Sequence, residues 1–223
     1  MKSFKHWTRQ AIADEFGLTV TQDCNNLDAW LDSDVILTDA EKATLGELKK
    51  KLVQYVDIWN EQELIIKFIS FIIGIADYDT AAFKSYANRK LKGKIDGKEV
   101  SGEVDLMIAS GEFEPKKPYF CLHEYKKEDG VNNDPLGQLL IAMLTAQELN
   151  NNEFPTYGAY VSGRNWFFLT LQNDTYCISN EYVATRDDIY DIMRIMKGVK
   201  PIIEAQNKKV SGEKAPRHKE LDE

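Results

Sequence analysis

The chain is poor in the residues that build disulfide scaffolds and zinc sites. Three of its 223 residues are cysteines (Cys24, Cys121 and Cys177), and the three histidines are equally dispersed. An odd, scattered set of cysteines argues against a disulfide framework and against a structural zinc site. We therefore expect buried or incidental thiols in a reducing compartment.

Long apolar runs are also missing. No stretch approaches the roughly 18–20 consecutive apolar residues that a membrane span requires. The first residues, Met1 to Trp7, lack the uninterrupted apolar segment of a signal peptide. The sequence therefore predicts a cytoplasmic protein with no membrane partner. Hydrophobic residues still make up 43% of the chain, which suffices for the core of a globular domain.

Positive charge is in deficit. The chain has 28 Lys and Arg residues against 36 Asp and Glu residues, for a formal net charge of −8. Proteins that bind nucleic acid non-specifically usually carry a basic surface, because phosphate neutralisation dominates their affinity. The charge therefore argues against a large non-specific DNA footprint. It leaves open a local basic groove, or a metal ion that supplies positive charge at a site.

The first third of the chain shows helical periodicity. Thr38 and Glu41 form a capping box at the start of a helix whose apolar residues recur at three- and four-residue spacings as far as Trp59. Asn60 and Glu63 form a second capping box. The helix that follows is apolar around most of its circumference, which predicts a central helix packed on more than one side.

Strand-like alternation follows. Asp96-Gly97 predicts a hairpin between strands at 87–95 and 98–110. Alternation in the second strand predicts that Val104 and Leu106 share one face. Residues 119–125 are nearly all apolar, as expected of a central strand.

The remaining elements complete an α/β pattern. They are a helix after Asp134-Pro135, a hairpin at Gly163-Arg164, an edge strand at 175–179, and a helix from Thr185 to about Lys197. The order predicts a mixed sheet flanked by helices. We divide the chain into an N-terminal helical extension (1–59), a core (60–200) and a charged tail (201–223) that we expect to be disordered.

The residues with the clearest chemical pattern are Asp105 on one strand and Glu124-Tyr125-Lys126 at the end of the next. Residues two apart on a strand point to the same face, so Glu124 and Lys126 project together, and Asp105 can join them. Two converging carboxylates repel each other, so such a cluster needs a cation. Mg²⁺ is suited to it, because it takes oxygen ligands, keeps several waters and bridges to phosphate.

This pattern resembles the PD-(D/E)XK nuclease superfamily, over roughly Asn60 to Leu171. The resemblance implies a restriction-endonuclease-like core of order α-β-β-β-α-β. It implies a nuclease that hydrolyses phosphodiester bonds, with DNA as the expected substrate and Mg²⁺ or Mn²⁺ as cofactor. Asp105 and Glu124 would bind the metal, and Lys126 would orient the water or stabilise the charge on the phosphate.

The resemblance also implies two further site residues. A glutamate from the preceding helix often completes the metal site, and we prefer Glu61 to Glu63 for this role in the metal shell, because Glu63 already has a capping role. Gln138 matches a glutamine on the helix after the third strand. Val104 stands where the family name has a proline, which removes no chemical group. His123 replaces a common aliphatic residue and, by alternation, faces away from the site.

Each residue also has an ordinary structural interpretation. A Glu-x-Lys pair on a strand is usually a solvated ion pair, Glu61 favours a helix N-terminus in any helix, and Gln138 fits the first turn of a helix. Asp105 is harder to explain in this way, because it lies in an otherwise apolar strand. The agreement of acids, lysine and element order with one architecture favours the functional interpretation.

Basic residues near the predicted site leave two interpretations open. Arg89, Lys90, Lys92 and Lys94 would either follow a phosphate backbone or form a charged edge strand that blocks unwanted pairing. Arg164 would either contact nucleic acid or lie at an ordinary hairpin tip.

Two functional hypotheses follow. The first is the metal-dependent nuclease described above. The second is a binding or interaction module that keeps the fold without catalysis, which the acidic net charge favours. In either case the N-terminal helices offer a surface for a partner or for a homodimer.

Overall fold

A mixed β-sheet organises the computed structural model, which describes residues 2–127 and 134–210. Its strands are β1 (Lys2–Ser3), β2 (Thr19–Val20), β3 (Lys84–Ile95), β4 (Lys98–Ser110), β5 (Lys116–Lys126), β6 (Thr156–Ser162), β7 (Asn165–Gln172), β8 (Thr175–Ile178) and β9 (Tyr182–Val183). The strand order is β1-β4-β5-β6-β7-β8-β2, with β3 paired to β4 and β9 paired to β7.

Helices flank the sheet. They are α1 (Arg9–Phe16), α2 (Asn25–Leu31), α3 (Asp39–Tyr55), α4 (Glu61–Leu64), α5 (Ser70–Ala76), α6 (Pro135–Leu149) and α7 (Asp188–Val210). A five-residue π-helical turn, Ile65–Ile69, joins α4 to α5. β5 and β6 are parallel neighbours, and α6 is the crossover between them. The predicted α/β class, with a mixed sheet flanked by helices, is confirmed.

The sheet separates two hydrophobic cores. One contains buried side chains of α2, α3, α4, α5 and α7, and the other contains those of α1 and α6. The N-terminal segment contributes to both cores, and it also adds two short strands to the sheet, because β1 pairs with β4 and β2 pairs with β8.

The local signals in the sequence give the predicted caps and turn. Glu41 N–H donates to Thr38 Oγ1 at 3.2 Å, and Thr38 N–H donates to the Glu41 carboxylate at 2.7 Å. In the second capping box, Glu63 N–H donates to Asn60 Oδ1 at 2.9 Å, and Asn60 N–H donates to the Glu63 carboxylate at 3.2 Å. At the β3–β4 turn, Asp96-Gly97 has φ values of 48° and 78°, as a type I′ turn requires. These predictions are confirmed.

The prediction of a central helix after Asn60 is wrong. Ile66 is 64% exposed and Phe71 is 50% exposed, so one side of the helix faces solvent. Its buried apolar residues form a single stripe: Leu64, Phe68, Ile69, Ile72 and Ala76. An apolar circumference therefore does not guarantee burial when the neighbouring elements cover only one side.

The last helix ends later than predicted. It continues past Lys197, through Pro201, to Val210, so the first part of the segment that we assigned to a charged tail is helical. Ile203 and Gln206 are buried, and their packing outweighs the backbone hydrogen bond that Pro201 removes. Residues 211–223 lie outside the described ranges.

The expectation of unpaired thiols is wrong for two of the three cysteines. Cys24 and Cys177 form a disulfide that joins the start of α2 to β8 across 153 residues of sequence. Cys121 is free and buried. Spacing alone did not reveal the pair, because the two cysteines meet only through the tertiary packing of α2 on the sheet.

Candidate active site

Three of the predicted site residues meet around one ammonium group. The Lys126 Nζ lies 2.9 Å from Glu124 Oε1 and 3.5 Å from Glu61 Oε2. The side chain of Glu124 is 8% exposed, that of Lys126 is 20% exposed and that of Glu61 is 38% exposed. The cluster is therefore open to solvent on the Glu61 side and closed on the Glu124 side. The expectation that Glu124 and Lys126 project together is confirmed.

Asp105 joins this cluster through a local separation of two strands. The pairing of β4 with β5 runs from Ser110 to the pair Leu106–His123 and stops there. Asp105 is the next residue on β4, and its Oδ2 accepts a hydrogen bond at 2.7 Å from the backbone N–H of Tyr125, two residues beyond His123 on β5. The carboxylate thus replaces a strand carbonyl as acceptor, beside Glu124.

The alternation predicted for this strand is wrong. Val104 packs in the α6-side core and Leu106 in the opposite core, so they do not share a face. The switch lies at Asp105, between the pairs Arg89–Val104 and Ala87–Leu106. On β3 the residue at this position is Asn88, which has a φ of 51°. Both strands therefore depart from regular pleating beside the site.

The electrostatic environment makes Glu124 unusually basic. Burial, followed by the charge of Asp105, raises the pKa of Glu124 to about 7. Burial also raises the pKa of Asp105, against the effects of the Tyr125 hydrogen bond and of Lys126. Burial lowers the pKa of Lys126, but the charge and hydrogen bond of Glu124 outweigh it, so the net direction is upward. The lysine is therefore charged, and it compensates carboxylates that repel each other.

A polar network lies on the opposite face of β5. The His123 Nδ1 lies 2.8 Å from the Tyr125 hydroxyl oxygen, and its Nε2 lies 3.4 Å from Cys121 Sγ. Burial lowers the pKa of His123 to about 3, so its ring is neutral at neutral pH. The expectation that His123 faces away from the site is consistent with this geometry. The network links three side chains of β5, the strand that carries Glu124 and Lys126.

Glu61 is held in place by the residues around it. The Asn60–Glu63 capping box fixes the first turn of α4 and keeps Glu63 occupied, as predicted. The loop before it is anchored by an ion pair between Asp57 and Arg164. Arg164 follows Gly163, whose N–H donates to the Lys126 carbonyl at 2.9 Å. Arg164 therefore connects the Glu61 loop to the hairpin beside Lys126, a role that the sequence did not reveal because 107 residues separate the partners.

Gln138 lies in the first turn of α6, where the sequence predicts it. Its side chain is buried, and its Nε2 has no hydrogen-bond partner in the described part of the chain. Within the same residues, no hydrogen bond or ion pair joins Gln138 to the charged cluster. Gln138 therefore places a buried amide N–H group on α6 that has no partner among the described residues.

The basic stripe of β3 lies beside acidic residues. Lys90 is paired in register with Glu103, and Lys94 is paired with Glu99. Lys92 lies 3.9 Å from Glu99, and Arg89 lies 3.4 Å from Glu114 on a neighbouring loop. These partners reduce the positive charge that the stripe offers to a phosphate backbone.

The donor set of the cluster consists of carboxylate oxygens. No group of three or more His, Cys, Asp or Glu side chains in the described residues is arranged to hold a metal ion. Lys126 forms ion pairs with both Glu61 and Glu124. The pair Asp105 and Glu124 still fits a hard divalent cation, because Mg²⁺ commonly uses one or two carboxylates and completes its shell with water.

Comparison with other proteins gives no family assignment. No protein-family model matches the sequence, and a search of curated proteins found no significant match. Along 2–127 and 134–210, no helix combines the length and the apolar character needed to cross a membrane. Function is therefore inferred from the residues of the site.

The raised pKa of Glu124 predicts a pH-dependent effect of Glu124→Gln on stability. The folded-state pKa is about 7, against an ordinary value of 4.5. Protonated Glu124 therefore stabilises the folded protein. This contribution to the free energy of unfolding is fully present below about pH 4.5 and is lost as the pH rises through 7. Glutamine resembles the protonated form. We expect the variant to match the wild type near pH 4.5 and to be more stable by about 2–3 kcal/mol at pH 8.

Urea denaturation in EDTA, followed by tryptophan fluorescence at both pH values, measures this difference. A variant whose advantage over the wild type is the same at pH 4.5 and pH 8 would show that Glu124 is ionised normally in the folded protein.

Proposed function

We propose that the protein is a cytoplasmic, divalent-metal-dependent nuclease of the PD-(D/E)XK type, with a restriction-endonuclease-like core. It would hydrolyse phosphodiester bonds with Mg²⁺ or Mn²⁺, and DNA is the substrate to test first. The observation that carries the proposal is the convergence of Asp105, Glu124, Lys126 and Glu61 at the point where β4 and β5 separate. The element order supports it, since a helix, β3, β4, β5, α6 and β6 follow one another as α-β-β-β-α-β.

The residues divide the chemistry among them. Asp105 and Glu124 would hold the cation, which supplies polarisation of the phosphoryl oxygen and a bound water of lowered pKa. Lys126 presents an ammonium group that can hold the attacking water or stabilise negative charge on the phosphate. Glu61 positions Lys126 from the other side, at 3.5 Å. Water attacks phosphorus, the bond to the leaving sugar oxygen breaks, and that oxygen takes up a proton.

A second candidate function is an interaction module that keeps this fold without catalysis. The ion pairs of Lys126 favour it, because they neutralise the carboxylates without a metal ion. The net charge of −8 also favours it. In this case the cluster would be a structural ion-pair network.

A cleavage assay separates the two functions. We expect the wild type to cut DNA with Mg²⁺ or Mn²⁺ and not in EDTA, and we expect Asp105→Asn to lose at least about 100-fold in rate. Glu99→Gln is the matched control, because Glu99 is an exposed carboxylate on the same strand, paired with Lys92. Calorimetric titration with Mn²⁺ should show binding to the wild type and weaker binding to Asp105→Asn. If neither DNA nor RNA is cut and Mn²⁺ does not bind, the interaction module is the correct interpretation.

A further inference from the structure

A groove of about 370 Å³ opens beside the candidate active site. Six residues line it: Lys51, Tyr55, Ile58, Trp59, Glu63 and Lys67. They come from the end of α3, the loop after it and the first turns of the following helix. The positioning role of Glu61 does not involve this groove.

The groove contains an aromatic pair and exposed apolar surface. The rings of Tyr55 and Trp59 are stacked, with centroids 5.8 Å apart and planes 20° from parallel. Tyr55 is 38% exposed, and Ile58 is 74% exposed. Large apolar side chains grouped at a surface commonly mark a binding site. Trp59 is 7% exposed, so the ring that a planar ligand can contact is that of Tyr55, which Trp59 supports from behind.

Two lysines lie along the same groove. The Lys67 ammonium lies 5.7 Å from the centroid of the Trp59 ring and pairs with Glu63 at 2.6 Å. The Lys51 ammonium lies 5.8 Å from the ring of Phe71 at the outer side. A platform flanked by cations suits a ligand that is both planar and anionic. A second copy of the chain placed face to face would bring the same lysines together, which disfavours self-association here.

The groove and the candidate active site share one short stretch of chain, since Trp59 and Glu63 line the groove and Glu61 belongs to the charged cluster. Trp59 and Glu61 are two residues apart, so their Cα atoms are separated by at most about 7.6 Å. The intervening backbone is fixed by the Asn60–Glu63 capping box. The ion pair of Asp57 with Arg164 holds the same loop against the hairpin beside Lys126. The groove is therefore a neighbouring surface that a strand bound at Lys126 can reach.

We propose that the groove binds an unpaired base and the adjoining phosphate of the strand to be cut, so that the substrate is a single-stranded nucleic acid. Tyr55 supplies the stacking surface, and Lys51 supplies the phosphate contact. Stacking on an aromatic side chain is tolerant of sequence, because every base has a π-face. A duplex keeps its bases paired and cannot offer this contact. The position of the scissile phosphate rests on the proposed nuclease function.

Binding of a fluorescent 15-nucleotide poly-dT, measured by anisotropy in EDTA, tests the proposal without cleavage. We expect Tyr55→Ala to weaken binding about 10-fold. Lys51→Ala should reduce the slope of log K against log salt by about 0.7, the value for one phosphate contact in a single strand. Lys50→Ala is the matched control, since Lys50 is the adjacent lysine, pairs with Glu47 and does not line the groove. A hairpin duplex of equal length should bind more weakly than poly-dT.

The outcomes separate this proposal from the proposed nuclease function. Groove-dependent binding without cleavage in Mg²⁺ or Mn²⁺ would support the groove and reject the nuclease. Cleavage that is unaffected by Tyr55→Ala and Lys51→Ala would support the nuclease and overturn the groove. Absence of poly-dT binding, or equal binding of the duplex, would also overturn it. So would light scattering that shows a wild-type dimer and a Tyr55→Ala monomer, because the occupant would then be a second copy.

Discussion

Replacing Lys126 by alanine is expected to lower the rate of phosphodiester cleavage by about 100- to 1,000-fold. The magnitude follows from removing one electrostatic contact to charge that develops in the transition state. The Lys126 ammonium lies between Glu124 and Glu61, at 2.9 and 3.5 Å. Single-turnover rates at saturating Mg²⁺ would measure the loss. Lys127→Ala is the matched control, because Lys127 is the next residue and is exposed.

A second readout distinguishes a catalytic role of Lys126 from a merely structural one. Lys126 lowers the pKa of Glu124 by charge and by hydrogen bonding, against the effect of burial. Its removal should therefore move the acidic limb of the pH–rate profile to higher pH. Lys126→Arg keeps the charge and should keep the position of this limb. A Lys126→Ala protein that is folded by circular dichroism and cuts at the wild-type rate would remove Lys126 from the mechanism.

The site was predictable where local rules apply and unpredictable where the chain departs from them. Alternation sufficed for Glu124 and Lys126, because β5 is regular there. Asp105 was found through the pattern of acids, and not through alternation, which assigned Val104 and Leu106 to one face. The irregularity opposite Asn88 is a tertiary feature, since it depends on how β3, β4 and β5 meet.

The same division holds for the fold. Capping boxes and the Asp96-Gly97 turn involve residues within three positions of each other, so the sequence displays them directly. The ion pair of Asp57 with Arg164 connects distant segments and leaves no local trace. Pro201 is the opposite case. Proline usually ends a helix, but α7 continues past it to Val210 because Ile203 and Gln206 remain packed against the core.

The Cys24–Cys177 disulfide is expected to contribute several kcal/mol to the free energy of unfolding. It closes a loop across 153 residues, for which the chain-entropy model gives about 5 kcal/mol and typical measurements give about 2–4 kcal/mol. Urea denaturation with and without dithiothreitol should show this difference. The double variant Cys24→Ser, Cys177→Ser should match the reduced wild type and should not respond to dithiothreitol, which serves as the control for Cys121.

The bond also tests the proposed cytoplasmic location, because disulfides rarely persist in a reducing cytosol. It joins α2 to β8, and β8 lies three strands from β5 in the sheet. Reduction should therefore lower stability while leaving the cleavage rate unchanged at temperatures where the reduced protein stays folded. Mass spectrometry of thiols alkylated before lysis would report the state of the pair in cells. A pair that is fully reduced there and a wild type that is equally stable with and without dithiothreitol would mean that packing of α2 alone holds the two cysteines together.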